Sequence, residues 1–177
     1  MNNDIMHEIV PIIKVVVVGD GGVGKTTLIY KLMGNEKLVT MTPGISIENI
    51  QLRLSADKIA DVVFWDLGGQ PQFRFFQKDF FECANIVFLV FDLNRYSSFK
   101  KLESEWIPLI NETKITDTAT LILIGNKIDL GQTINDEEIT KFAERYNMRF
   151  FKISAKDGTN IKDLMNYVSC IVQSCYS

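Results

Sequence analysis

The chain is poor in the residues that build most metal centres and covalent-catalysis sites. Of 177 residues, one is histidine, His7, and three are cysteine, Cys83, Cys170 and Cys175. His7 sits in a polar N-terminal leader and reads as a solvated side chain, not a ligand or base. The cysteines show no metal-ligand spacing, and their odd number argues against a disulfide framework, so a reducing, cytoplasmic setting is expected. No apolar run is longer than a strand, which excludes a membrane-spanning segment. There is no Lys/Arg-rich tail, and the formal charge of -3 disfavours nucleic acid as a partner. The start Met1-Asn2-Asn3-Asp4 is unlike a secretory signal, and Asn2 stands where N-myristoylation needs glycine. Cys175 lies third from the end, one position off the prenylation pattern. Palmitoylation of Cys170 or Cys175 is the remaining route to peripheral membrane contact; both read more simply as small apolar residues on a terminal helix. Internal repeats, low-complexity segments and linkers are also lacking. The expected organisation is a leader over 1–10 and one domain over 11–177.

What is present is an alternation of short apolar runs with amphipathic stretches, the pattern of βαβ units and an α/β fold with a mainly parallel sheet. Strands are expected at 11–18, 45–54, 59–65, 86–91, 120–124 and 149–153, with the second and third forming a hairpin. The first hairpin arm alternates through Ile45 and Ile47, then Ile50, Leu52 and Leu54, which implies a shift at Asn49. The last three strands read as central and buried on both faces. Helices are expected at 25–33, 71–82, 97–110, 135–146 and 160–174, with Asn135 and Asn160 as N-caps. The last carries a core face of Leu164, Val168, Ile171, Val172 and Cys175.

Residues 19–26, Gly-Asp-Gly-Gly-Val-Gly-Lys-Thr, follow an apolar strand and open a helix. This is a phosphate-binding loop. Glycines at 19, 21, 22 and 24 let backbone N–H groups converge on anionic oxygens. Lys25 can reach the terminal phosphates, and the Thr26 hydroxyl can ligate Mg²⁺. Asp66 ends an apolar strand, where a carboxylate needs a cation or donors, and Mg²⁺ supplies one. In Gly68-Gly69-Gln70, a peptide flip can turn the Gly69 N–H to a γ-phosphate, and Gln70 can hold a water. In Asn126-Lys127-Ile128-Asp129, Asp129 can accept two hydrogen bonds from guanine N1–H and its exocyclic amine, a donor pair adenine lacks. Asn126 is expected to tie this loop to the phosphate loop, the Lys127 stem to lie over the purine, and the Ala155 N–H to answer guanine O6. All four motifs fall at the carboxyl ends of strands, where open α/β sheets bind ligands.

Together these motifs resemble the Ras superfamily of small GTPases over residues 11–174. The resemblance implies a P-loop NTPase G domain: a six-stranded, mostly parallel sheet with one antiparallel edge strand and helices on both faces. It implies GTP and GDP with Mg²⁺ as cofactors, bound by Gly21, Gly22, Val23, Gly24, Lys25, Thr26 and Thr27 on the phosphates. Asn126, Lys127, Asp129, Ser154, Ala155 and Lys156 would form the guanine site. Gln70 would orient the attacking water, beside Lys25, Gly69 and the switch threonine. Thr42 matches that threonine because Gly44 completes T-x-G; Thr40 is the competing candidate. Thr26, Thr42 and Asp66 would hold the metal. The motifs are mixed: the phosphate loop's Thr26-Thr27 and the segment 65–70 look Arf-like, while 21–24, 91–99 and 154–156 look Rab- and Ras-like. The family implies effector proteins binding two switch regions, an exchange factor and an activating protein. Residues 34–50 contain no arginine, so no catalytic finger comes from the first switch, and slow intrinsic hydrolysis is expected. Phe75 or Phe76 is a candidate effector contact. A nucleotide-locked scaffold with little turnover is the alternative function, and an ATPase or kinase is disfavoured by Asp129 and Ala155.

Overall fold

A computed structural model describes residues 10–35, 44–55, 58–68 and 77–175. The valine-rich run at 15–18 suits a pleated, doubly covered strand, and it lies in β1 (Ile12–Val18). β1 pairs in parallel with β3 (Ile59–Leu67) on one side and β4 (Ile86–Asp92) on the other. β5 (Thr120–Asn126) and β6 (Arg149–Lys152) continue the parallel sheet, and β2 (Ile45–Arg53) closes the opposite edge antiparallel to β3. The strand order is β2-β3-β1-β4-β5-β6. Alternate residues of β1 serve two cores. Val15 and Val17 pack with α1 (Lys25–Leu32) and α6 (Ile161–Cys175). Val16 and Val18 pack with α3 (Tyr96–Lys101), α4 (Ile107–Glu112) and α5 (Asp136–Arg145). The expected six-stranded α/β sheet, with one antiparallel edge strand and helices on both faces, is the observed one.

Several local expectations are corrected. β2 has no shift at Asn49: its register against β3 runs unbroken from Ile45 opposite Leu67 to Arg53 opposite Ile59. The odd-numbered residues of β2 face outward throughout, so Ile45 and Ile47 are exposed apolar side chains, not core. β6 is an edge strand, and Arg149 on it is exposed. The helix expected over 97–110 starts at Tyr96, and a π-helical turn, Leu102–Trp106, joins α3 to α4. Asn135 caps α5 by accepting from the Glu137 N–H at 2.8 Å. Asn160 instead takes a left-handed backbone with φ 58°, and its side-chain amide donates to the Lys152 carbonyl at 2.8 Å. Leu164, Val168 and Val172 are buried on α6, but Cys175 is exposed, as are Cys83 and Cys170. Of the helix expected over 71–82, α2 (Gln77–Phe81) is described. No described helix is long and apolar enough to cross a membrane.

Candidate nucleotide site

β1, β3, β4, β5 and β6 run parallel, so their carboxyl ends, with the loops after β1, β4, β5 and β6, lie along one rim of the sheet. The glycines of the first loop are fixed by space as well as by conformation. A Cβ on Gly19 would overlap the Val90 carbonyl oxygen, and one on Gly24 would overlap the Asn126 side-chain amide. Gly22 and Gly24 take φ of 72° and 94°, the left-handed conformation that turns successive N–H groups into a concave anion cradle. Gly24 is also the N-cap of α1, so the positive end of the helix faces the same cradle.

Lys25 folds back over the loop, its Nζ donating to the carbonyls of Gly19 at 2.9 Å and Asp20 at 3.0 Å. It is only 7% exposed, and burial pushes its pKa down, partly opposed by the charges of Asp66 and Asp20. The Thr26 hydroxyl donates to the Asp66 carboxylate, bringing two hard oxygen ligands together at the ends of α1 and β3. Such a pair fits Mg²⁺, which binds through one or two protein oxygens together with phosphate. Thr27, one residue on, is half-buried. Thr40, Thr42, Gly69, Gln70, Phe75 and Phe76 lie outside the described residues.

Asn126, 2% exposed, joins two loops through one side chain. Its Nδ2 donates to the Val23 carbonyl at 2.9 Å, and its Oδ1 accepts from the Ala155 N–H at 2.9 Å. The Ala155 N–H expected to meet guanine O6 is therefore directed to Asn126. Ser154, fully buried, donates from Oγ to the Asp129 carboxylate at 2.8 Å and so orients an otherwise exposed acid. Lys127 stretches across the site from a left-handed backbone, its Nζ reaching the Gly22 carbonyl at 2.7 Å and Asp92 at 2.8 Å. Lys156 is exposed.

Sequence reasoning missed a second tier of residues around this site. Asp92, 7% exposed at the end of β4, pairs with Lys127 and also accepts from the Asn94 N–H at 2.9 Å. Arg95 donates from Nη2 to the Gly21 carbonyl at 2.7 Å and lies 3.4 Å from Asp20, which Lys101 also holds at 2.8 Å. Burial raises the Asp20 pKa, but the Lys101 and Gly21 N–H hydrogen bonds with the Lys101 and Arg95 charges bring it below the ordinary value. Two signals were available: the Rab- and Ras-like look of 91–99, and its position after β4, at the same rim as the recognised motifs. Also missed was an apolar strip on the hairpin. Ile47, 54% exposed, pairs with Trp65, whose ring lies 5.8 Å from that of Phe80 and 4.2 Å from Lys14 Nζ.

Comparison with known proteins agrees with this geometry. The Ras family description matches residues 14–173. The chain is 33% identical over 159 residues to the Ras-related protein RABA1e of Arabidopsis thaliana, covering 88% of this chain and 72% of that one. It is 32% identical over 168 residues to the Ras-related protein Rab-5B of Plasmodium falciparum (isolate 3D7), covering 92% and 78%. It is 31% identical over 163 residues to a Ras and EF-hand domain-containing protein of Danio rerio, covering 88% of this chain but 24% of that longer one.

Proposed function

Because the chain belongs to the Ras family, we propose that it binds GTP and GDP along the rim, hydrolyses GTP slowly, and switches effector proteins in trafficking or signalling. The observation that carries this reading is Asn126, which links the phosphate loop to the 154–156 loop, while Ser154 aims Asp129 from the same side. Phosphate cradle and base acceptor are thereby held on one connected frame. Asp129 selects guanine, because adenine would leave its carboxylate without the matching donor pair. The backbone of residues 21–25 and Lys25 neutralise phosphate charge, while the Gln70 carbonyl orients the attacking water. Thr26, Asp66 and Thr42 would hold Mg²⁺, which when bound supplies further charge neutralisation on the phosphate oxygens. Thr42 and the Gly69 N–H answer the γ-phosphate and order the two switches only while it is present. The switch resides in 11–177, and effectors read both switches together with the neighbouring strip of Ile45, Ile47, Trp65 and Phe80. An exchange factor and an activating protein complete the cycle.

The test follows γ-labelled GTP with Mg²⁺ on wild type, Gln70→Leu and Lys25→Ala. Binding with slow phosphate release, slower still in Gln70→Leu and lost in Lys25→Ala, is expected. Tight binding with no release from wild type, even with candidate activators, would make the protein a nucleotide-locked scaffold. Preference for ATP in competition would refute the guanine assignment.

A further inference from the structure

Three consecutive carbonyls of the phosphate loop each accept a side-chain donor from another loop: Gly21 from Arg95 at 2.7 Å, Gly22 from Lys127 at 2.7 Å and Val23 from Asn126 at 2.9 Å. The chain has no cis peptide bond among the described residues. In a trans peptide the carbonyl of one residue and the N–H of the next point in opposite directions. A donor holding the Gly21 oxygen from outside therefore faces the Gly22 N–H the other way, into the cradle. The same holds for the N–H groups of Val23 and Gly24. A cationic donor on the carbonyl also draws electron density through the amide and makes its N–H a stronger donor.

We propose that Arg95 is a positioning residue for GTP hydrolysis, acting through the Gly21–Gly22 peptide to orient and polarise the Gly22 N–H toward the phosphates. The inference rests on the GTP-hydrolysis reading above. Arg95 is built for this task. Its N–H donates to the Asp92 carbonyl at 3.0 Å, and its own carbonyl accepts from the Ser98 Oγ at 2.7 Å and Ser98 N–H at 3.0 Å. The side chain thus leaves a fixed backbone at the start of α3, and Asp20 steadies the guanidinium at 3.4 Å. The first switch has no arginine, and Arg95 supplies positive charge to the phosphate loop from the β4 side. The contribution goes to the transition state more than to bound nucleotide, because negative charge builds on the phosphate oxygens as the terminal P–O bond loosens.

The experiment compares wild type, Arg95→Ala, Arg95→Lys and Lys101→Ala. Lys101→Ala removes the other cationic partner of Asp20 and leaves the Gly21 carbonyl bond in place. Single-turnover GTP hydrolysis, GDP dissociation and the amide ¹H–¹⁵N resonances of residues 21–25 in the GDP-bound protein are read for each. Arg95→Ala is expected to slow hydrolysis about five- to tenfold while GDP dissociation stays within about twofold. The Gly22 amide proton should move upfield, Arg95→Lys should restore part of both effects, and Lys101→Ala should slow hydrolysis less than Arg95→Ala does. A Gly22 resonance or hydrolysis rate that does not respond to Arg95→Ala would overturn the proposal. So would equal effects on hydrolysis and GDP release in both alanine variants, which would reduce Arg95 to a strap between the loop and α3. Failure of the parent reading is seen separately, as a wild type that binds or turns over no GTP.

Discussion

Lys25 carries a conflict that a single residue can test. Its ammonium is buried, and burial holds its pKa below the ordinary lysine value of 10.5. Between that lowered value and 10.5, the unfolded chain binds more protons at this site than the folded one, so stability rises with pH across that window. Lys25→Met in the nucleotide-free protein should flatten this rise in urea unfolding followed at successive alkaline pH values. Lys14, whose pKa burial also lowers, is common to both proteins and cancels in the comparison. An unchanged pH slope in Lys25→Met would mean the ammonium is better solvated than its geometry indicates. Lys25, Thr26, Asp66, Asn126 and Asp129 were legible because a local pattern announces each one: a glycine loop, a strand end, a four-residue motif. Asp92 and Arg95 were not, since an ion pair with Lys127 and a hydrogen bond to Gly21 join residues 35 and 74 positions apart.

At the scale of elements, the helix caps give a direct comparison. Asn135 caps α5 from its side chain, so Asn135→Ala should lower stability by about 1 kcal/mol, measured by denaturant unfolding. A loss well under half of that would show that water replaces the cap without penalty. Asn160 has the same local sequence signal, yet the chain needs a left-handed residue there, and the amide serves Lys152 instead. Strand positions were legible to within two residues because apolar runs mark them. Sheet order was not, and this is why β6 was read as central when it lies at an edge. The break in the β2 alternation was read as a change of register. It is instead a pair of isoleucines, Ile45 and Ile47, facing outward from an unbroken ladder. The π-helical turn at Leu102–Trp106 left no signal in the periodicity.

For the whole molecule, the described loops of the rim are joined to one another by side-chain hydrogen bonds and ion pairs. The two apolar layers lie on either side of the sheet, and the rim is tied by polar links: Asn126 to Val23 and Ala155, Lys127 to Gly22, Arg95 to Gly21. A ligand bridging those loops adds its binding energy directly to global stability. Saturating GDP with Mg²⁺ should raise the unfolding free energy by about 4 kcal/mol at a thousand times Kd. ADP at the same concentration should leave the unfolding temperature unchanged, and chelation of Mg²⁺ should remove part of the gain. Equal stabilisation by ADP would contradict the role given to Asp129.

The two tryptophans divide the molecule optically. Trp106 is 2% exposed in the π-helical turn before α4, in surroundings that keep indole emission at short wavelength. Trp65 lies half-buried on the hairpin strip beside Phe80, with the Lys14 ammonium 4.2 Å above its ring as a nearby quencher. A partner covering that strip changes the colour and lifetime of one emitter and leaves the other as an internal standard. The unlabelled chain thus carries a two-channel fluorescent gauge of its own occupancy.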